Sequence, residues 1–186
     1  MNTGNDKFEI HPNPSLGRRR AITSAGLGLL AGLSANVQAQ TGNAAGSVHK
    51  PLRGKSVIVT GARNNQGRAY AVALAKMGAD LVLHFHRNET RDQNEETARL
   101  VRAEGARLTS VVGDMGDAAV TKAVFDSAQS SYGKIDIVVN TVGYIVKKPM
   151  ALMTEDDYNR SERANVRALF HVFQQSAARL ADNGRL

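Results

Sequence analysis

Four short runs of mostly apolar residues recur from residue 55 onward, and their pattern constrains the fold more than any other feature. They are Val57–Val59, Leu81–Leu83, Leu108–Val112 and Ile135–Val139. The apolar residues tend to be neighbours in the chain rather than alternating with polar ones. This pattern is typical of strands that are buried on both faces, as in a parallel sheet covered by helices.

The segments between these runs have the composition and the end signals of helices. Gly78 and Gly105 follow two of them, where glycine commonly ends a helix. The last segment begins at Thr154, a helix-capping residue, and acids follow it at the positive end of the helix dipole. The predicted helices are Arg68–Met77, Arg91–Glu104, Ala118–Ser130 and Thr154–Leu180. The alternation predicts an α/β fold with a doubly wound parallel sheet.

Residues 1–39 differ from the rest and predict an export signal peptide. The basic residues Arg18–Arg20 precede a weakly apolar run, Ala21–Ala35, and Val37–Ala39 has the small-x-small pattern of a signal peptidase site. Paired arginines predict the twin-arginine route to a bacterial periplasm. The apolar run is too short and too rich in Gly and Ser for a stable membrane span. A cytoplasmic location is the alternative.

Residues 40–51 are predicted to form a linker and residues 52–186 one folded domain. The net charge of +7 could indicate a nucleic-acid partner. The basic residues after the leader are scattered, however, and the chain has no Trp, so no nucleic-acid partner is predicted. The absence of Cys excludes disulfides and thiolate zinc sites.

A turn that contains two glycines joins the first predicted strand to the first predicted helix. Such a turn offers free backbone N–H groups and the positive end of the helix dipole to a pyrophosphate. Gly61 permits the tight turn, Gly67 permits close approach, and Asn65 tolerates positive φ where a middle glycine is usual. The predicted cofactor contacts in the turn are Gly61, Arg63, Asn64, Asn65, Gln66 and Gly67.

These motifs resemble those of the short-chain dehydrogenase/reductase family. Thr60-Gly61-x5-Gly67 is similar to the family's Thr-Gly-x3-Gly-x-Gly loop, and Gly113-Asp114-Met115 to its adenine-contacting segment. Asn140-Thr141-Val142-Gly143 is similar to Asn-Asn-Ala-Gly, with the second Asn and the Ala replaced. The resemblance spans roughly residues 52–186 and implies a Rossmann-type sheet that binds a nicotinamide dinucleotide. It adds these predicted contacts: Asp114, Met115, Asn140, Thr141, Val142 and Gly143.

The end of the second apolar run indicates which dinucleotide is preferred. A NAD-binding unit carries an acid there for the ribose 2′-OH, whereas this chain has His86, Arg87 and Asn88. Arg87 can hold a 2′-phosphate with two hydrogen bonds, and Arg63 can approach it from the turn. We therefore predict NADP(H) rather than NAD(H), with His86, Arg87 and Asn88 as contacts. The alternative is that Arg63 and Arg87 are ordinary surface charges.

His84 and His86 lie two positions apart on one strand, as two metal ligands could. A metal site would need a third ligand, and none is evident, so no metal site is predicted.

The resemblance implies hydride transfer between a nicotinamide and a carbonyl or alcohol carbon of a small molecule. In the family a Tyr is the general acid/base, a neighbouring Lys lowers its pKa, and a Ser and a helix Asn assist. Asn165 matches the helix Asn and is the predicted catalytic residue. The Ser, Tyr and Lys would lie beyond Leu186, so the sheet is expected to be truncated after the fourth βα unit and this chain alone to be inactive.

Tyr144 and Lys148 have the Tyr-x-x-x-Lys spacing but are not predicted to be catalytic. They lie directly after the Asn140 motif and before Pro149, in a predicted loop. The spacing places two side chains on one face only in a helix.

Two packing expectations arise from the same pattern. The long helix would pack through Tyr158, Asn165, Leu169 and Phe173, and Glu162 would interrupt that seam. If the chain ends at Leu186, Ile135–Val139 would be an edge strand with unpaired backbone groups.

Three functions are compatible with these features. The first is an NADP(H)-dependent oxidoreductase, with a homo-oligomer implied for a complete chain. The second is a non-catalytic dinucleotide-binding module or truncated remnant, and the third is a structural partner that pairs through the sheet edge.

Overall fold

The computed structural model describes residues 50–87 and 91–186. The predicted export signal 1–39, residues 40–49 of the predicted linker, and Asn88 lie outside the described residues.

The described chain alternates strands and helices, as predicted. The strands are β1 (Ser56–Thr60), β2 (Asp80–Phe85), β3 (Leu108–Val112) and β4 (Ile137–Asn140). The helices between them are α1 (Asn65–Lys76), α2 (Arg91–Ala103) and α3 (Ala118–Tyr132). After β4 come a 3-10 turn (Met150–Leu152), α4 (Glu155–Glu162), a π turn (Arg163–Arg167) and α5 (Ala168–Arg179).

The four strands form one parallel sheet in the order β3-β2-β1-β4. Successive residues of a strand point to opposite faces, so Val57 and Val59 enter the core under α1 while Ile58 enters the core under α3. The doubly wound α/β prediction is confirmed. From β1 the chain adds β2 and β3 on one side of the sheet and then β4 on the other side. Open sheets of this kind bind ligands in the crevice between the two strands where the direction of addition changes, here β1 and β4.

The strands are not all buried on both faces, which corrects one expectation. Every residue of β1 is buried, and so is β2 from Leu81 to Phe85. In β3, by contrast, no residue is fully buried, and Val112 is 39% exposed. β3 is at the edge of the sheet, where only β2 pairs with it.

The predicted packing residues of the long helix are wrong: the buried positions lie one residue earlier in the chain. Tyr158 and Phe173 are exposed, and the buried side chains instead include Ala168, Val172 and Ser176. These three are small, so α5 can approach α3 and β4 closely. Glu162 therefore does not enter the core, and its carboxylate pairs with Arg167 at 3.3 Å.

The expected unpaired edge on β4 is also wrong for part of the strand. Arg185 forms a parallel bridge with Ile137. The N–H of Val138 donates to the Arg185 carbonyl at 2.8 Å, and the N–H of Arg185 donates to the Asp136 carbonyl at 2.9 Å. The chain thus lies alongside β4 in strand geometry at its last residues. Among the helices of the described residues, none has the length and apolar character to cross a bilayer.

Candidate functional site

The turn between β1 and α1 has the backbone geometry that the sequence predicted. Gly61 has φ 66°, and Asn65 has φ 46° in the left-handed region. Gly67 packs so tightly that a β-carbon there would stand 2.2 Å from the Gly61 carbonyl oxygen. The side chain of Asn64, at the N-cap, makes no hydrogen bond to the first turn of α1. The first N–H groups of that helix are therefore directed at the space in front of it.

Two residues that the sequence analysis missed hold this turn from behind. Thr97 of α2 donates from Oγ1 to the Arg63 carbonyl at 2.9 Å. Arg68 of α1 donates to the same carbonyl at 2.8 Å and to Thr97 Oγ1 at 2.8 Å. The turn is thereby fixed to α2 as well as to α1. Neither residue belongs to a motif, so only the folded structure reveals the contact.

His84 connects the same turn to the end of β3, a role that the sequence did not indicate. Its ring is fully buried. The N–H of Gly61 donates to Nδ1 at 3.2 Å, and Nε2 lies 2.8 Å from the Gly113 carbonyl oxygen. Burial lowers the pKa of His84 to about 4, although the hydrogen bond to Gly113 opposes that shift.

Basic side chains lie at the carboxyl end of β2. His86 and Arg87 are exposed there, and the Arg87 carbonyl accepts a hydrogen bond from the Asn94 side chain of α2 at 3.0 Å. Arg63 is half-buried in the neighbouring turn. The loop after β2 and the turn after β1 thus both carry positive charge where these two adjacent strands end.

Asp114 follows β3 and is held by two donors. Its carboxylate accepts from the Gly116 N–H at 2.8 Å and from Arg163 Nε at 2.5 Å. Partial burial would raise the pKa of Asp114, but the hydrogen bonds from Arg163 and Gly116 outweigh it and hold the pKa below its usual range. Met115 is different: its side chain is fully buried in the core. The whole residue is 0% exposed, and its carbonyl accepts a hydrogen bond from Thr121 Oγ1 at 2.9 Å, so no atom of Met115 reaches the surface at the predicted contact.

The end of β4 is joined to the end of β1 by side chains. Thr60 donates from Oγ1 to Asn140 Oδ1 at 2.6 Å, and the Thr141 hydroxyl donates to the Thr60 carbonyl at 2.5 Å. Val142 packs against the core, and Gly143 is exposed. The predicted Asn140–Gly143 segment therefore lies beside the β1–α1 turn.

Asn165 binds the next part of this segment from the π turn. Its Oδ1 accepts from the Tyr144 N–H at 2.9 Å, and its Nδ2 donates to the Tyr144 carbonyl at 2.8 Å. It also donates to Ser161 Oγ at 3.1 Å. π turns occur frequently at functional sites, because the extra residue redirects side chains locally. Here the π turn carries both Asn165 and the Arg163 that pairs with Asp114.

Tyr144 and Lys148 each contact a residue of α4. The segment between β4 and the 3-10 turn has no helix, as predicted. Lys148 forms an ion pair with Asp157, and Tyr144 lies under the guanidinium of Arg160 at 5.7 Å from the ring centroid.

The part of the chain that the structure describes contains no cluster of potential metal ligands. Within residues 50–87 and 91–186 no three His, Asp or Glu side chains lie close enough to hold an ion. His84 is bonded to the backbone by both ring nitrogens, so it is not available as a ligand.

The structure brings most of the predicted residues to one edge of the sheet. The β1–α1 turn lies between the ends of β2 and β4, and Asp114 stands after β3. This edge combines N–H donors of a helix N-terminus, basic side chains at one side, and carbonyl and amide groups at the other. Such a crevice can hold an extended anionic ligand that has a different chemical group at each end.

Known proteins resemble the chain in sequence and in structure. A family model for short chain dehydrogenases matches residues 55–185. The hydroxynaphthalene reductase-like protein Arp2 of Metarhizium brunneum is 34% identical over 137 residues, which cover 74% of this chain and 51% of that protein.

Two solved structures illustrate the structural likeness. A short chain dehydrogenase of Burkholderia cenocepacia J2315 in complex with NADP has a TM-score of 0.68 at 28% identity, covering 73% of this chain and 54% of its own. A short chain dehydrogenase of Mycobacterium paratuberculosis bound to NAD has a TM-score of 0.65 at 28% identity, covering 70% and 52%. The chain spans about half the length of the relatives that it matches.

Proposed function

This chain belongs to the short-chain dehydrogenase family, and on that premise we propose that it binds NADP(H) across the carboxyl ends of its strands. The proposed role of the bound cofactor is hydride transfer to or from a carbonyl or alcohol carbon of a small molecule. The observation that carries the proposal is the β1–α1 turn. Its two glycines, its left-handed Asn65 and its uncapped first helical turn suit a pyrophosphate.

The turn fits the cofactor on steric as well as electrostatic grounds. Gly67 brings α1 against Gly61, so the first N–H groups of α1 stand at the strand end with no β-carbon between them. Thr97 and Arg68 hold the Arg63 carbonyl behind the turn. Donors that are already fixed lose little conformational freedom when a phosphate binds.

The preference for NADP(H) rests on the basic groups beside the turn. Arg63 and Arg87 offer guanidinium groups that match a 2′-phosphate, and His86 is exposed next to them. A related structure holds NADP, which supports this choice, while another holds NAD. The related structures thus hold either dinucleotide, and the proposed preference for NADP(H) rests on the basic residues of this chain. The proposal extends to Asn88, which lies outside the described residues.

The remaining predicted contacts are assigned to the two ends of the cofactor. Asp114 would face the adenine, while the neighbouring Met115 is buried in the core, and the segment from Asn140 to Gly143 would border the nicotinamide side. Asn165 holds the Tyr144 backbone through both ends of its amide, which suits a positioning residue for the loop beside the reaction centre.

A direct binding experiment tests the proposal. Fluorescence titration of the 186-residue chain with NADPH and with NADH should give the lower Kd for NADPH. Because residues 1–186 alone are expected to be inactive, NADPH consumption with a panel of aldehydes and ketones would be assayed on a form that also carries the Ser, Tyr and Lys implied by the family resemblance. Turnover by that form separates an oxidoreductase from a non-catalytic dinucleotide-binding module. If neither dinucleotide binds, the proposal fails and a structural role through the sheet edge is favoured.

We further propose that residues 1–39 direct export by the twin-arginine route. The support is the order of the arginine pair, the apolar run and the Ala39 cleavage site in the sequence. Changing Arg19 and Arg20 together to Lys should leave the chain in the cytoplasm, whereas changing Arg53 to Lys should not. Export of the double variant would contradict the twin-arginine route, and retention of the wild-type chain in the cytoplasm would favour the alternative location.

We also propose homo-oligomerisation, which the resemblance implies for a complete chain. Its support within the described residues is the exposed apolar side chains of the π turn and α5, namely Val166, Phe170 and Phe173. Light scattering coupled to gel filtration should show a mass above one chain, and changing Phe170 to Glu should reduce that mass.

A further inference from the structure

The imidazole of His84 is buried between two loops that the proposed cofactor would touch. The ring is 0% exposed on β2. On one side Nδ1 meets the N–H of Gly61, in the turn after β1, and on the other side Nε2 meets the carbonyl of Gly113, directly before Asp114. The backbone carbonyl of His84 also accepts from the Ala62 N–H at 3.0 Å.

These two contacts are compatible with only one form of the ring. The Gly61 N–H can only donate, so Nδ1 must be an unprotonated acceptor. The Gly113 carbonyl can only accept, so Nε2 must carry the proton. The neutral Nε2–H tautomer satisfies both partners, whereas the protonated ring would set an N–H against the Gly61 N–H.

We propose that His84 is a positioning residue that ties the Gly61 turn to the Gly113–Asp114 loop and thereby sets the separation of the pyrophosphate and adenine contacts. The proposal rests on the proposed function for what the two loops bind. The tie itself is a property of the free chain and can be measured without any ligand.

The charges around the ring are consistent with the neutral form. His86, directly after the same strand, disfavours a positive ring, whereas Asp114 favours one but is already paired with Arg163. β1 and β3 contain no titratable side chain. The charged residues of α3, Lys122 and Asp126, pair with each other at its exposed surface.

The first test is spectroscopic and uses the wild-type chain at pH 7 without ligand. The ring ¹⁵N shifts of His84 should show protonation at Nε2 and an unprotonated Nδ1. The Gly61 amide should exchange slowly with solvent. A ring protonated at Nδ1, or a Gly61 amide that exchanges freely, would overturn the proposal even if NADP⁺ binds.

The second test compares two substitutions at this position. His84→Asn keeps an acceptor oxygen near the place of Nδ1, so the Gly61 amide should stay protected. His84→Leu removes both contacts. We expect about a tenfold higher Kd for NADP⁺ with His84→Leu and a partial recovery with His84→Asn, because one or two hydrogen bonds are lost.

Val82→Ala provides the matched control. Val82 is on the same strand and the same face, is also fully buried, and has no side-chain group that could hydrogen-bond to either loop. It should lower stability while leaving the Kd for NADP⁺ within about twofold of wild type. The proposal would be overturned if Val82→Ala and His84→Leu raised the Kd for NADP⁺ equally. It would also be overturned if His84→Leu bound NADP⁺ with wild-type affinity. If wild type itself fails to bind NADP⁺, the proposed function fails while the exchange data still decide the tie.

Discussion

Gly67 stands so close to Gly61 that a β-carbon on Gly67 would lie 2.2 Å from the Gly61 carbonyl oxygen and 2.8 Å from its carbonyl carbon. Both atoms belong to the backbone, so neither can move aside cheaply. The contact brings the first turn of α1 against the end of β1. It therefore places the helix N-terminus where a pyrophosphate would need it.

Replacing Gly67 with Ala should push α1 away from β1. We expect the Kd for NADPH to rise at least about tenfold, because the N–H donors of the first turn lose their alignment. The comparison is Gly105→Ala, where a β-carbon would meet nothing within 4 Å, although the backbone there, unlike that of Gly67, has positive φ (80°). That variant should lose about 1–2 kcal/mol of stability from backbone strain and keep its affinity. Equal affinities for the two variants would show that the turn is not the binding site.

Reversing the charge at Arg87 should reverse the cofactor preference. Arg87→Asp would repel a 2′-phosphate and could accept a hydrogen bond from a ribose 2′-OH. NADPH should bind at least about tenfold more weakly, while NADH should bind as well as before or better. Arg53→Asp makes the same charge change before β1, at the opposite end of the sheet, and should alter neither Kd. An unchanged NADPH:NADH ratio in Arg87→Asp would show that Arg87 does not select the cofactor.

Removing the Asn165 amide should loosen the loop that it holds. Asn165→Ala loses both hydrogen bonds to Tyr144, which predicts a loss of about 1–2 kcal/mol and faster exchange of the Tyr144 amide. Hydrogen exchange followed by mass spectrometry would locate the change. Asn159→Ala, at an exposed position of α4, should leave that amide protected. Equal exchange in both variants would contradict the positioning role of Asn165.

Acid should destabilise the fold partly through His84. Its pKa is lowered in the folded chain to about 4, below the value near 6.5 of an unfolded His. The unfolded state therefore binds a proton first as pH falls, so stability decreases between about pH 6.5 and pH 4. The contribution of this group is about 3 kcal/mol over that range.

Urea unfolding at a series of pH values would measure this dependence. The slope of unfolding free energy against pH should be smaller in His84→Asn than in wild type over the same range, because Asn does not titrate. Identical slopes would mean that the buried ring does not control the acid sensitivity.

The sequence predicted those parts of the structure that depend on local backbone chemistry. The positive φ of Asn65 and the turn at Gly61 result from which residues tolerate that conformation. The burial of consecutive strand residues was predicted best for β1 and β2, which have neighbouring strands on both sides. The residues of β3 are less buried than predicted because β3 is an edge strand. Which strand lies at the edge depends on the strand order, and the local sequence pattern does not encode that order.

Contacts between residues far apart in the chain were not predictable. Arg163 and Asp114 are 49 positions apart, and Thr97 and Arg63 are 34 apart. His84 was considered only as a possible metal ligand, because a histidine pair on a strand gives no sign that two backbone groups lie beside the ring. The seam of the long helix was misjudged because large residues were expected inside, whereas the close approach of α5 favours Ala168 and Ser176.

The central claim is that the β1–α1 turn holds the pyrophosphate of NADP(H). The most direct test is a crystal structure of the chain grown with NADP⁺. We predict pyrophosphate oxygens within hydrogen-bond distance of the N–H groups at the start of α1, with the 2′-phosphate beside Arg63 and Arg87. A dinucleotide bound elsewhere on the chain, or crystals in which the turn takes up no ligand at saturating NADP⁺, would contradict this claim.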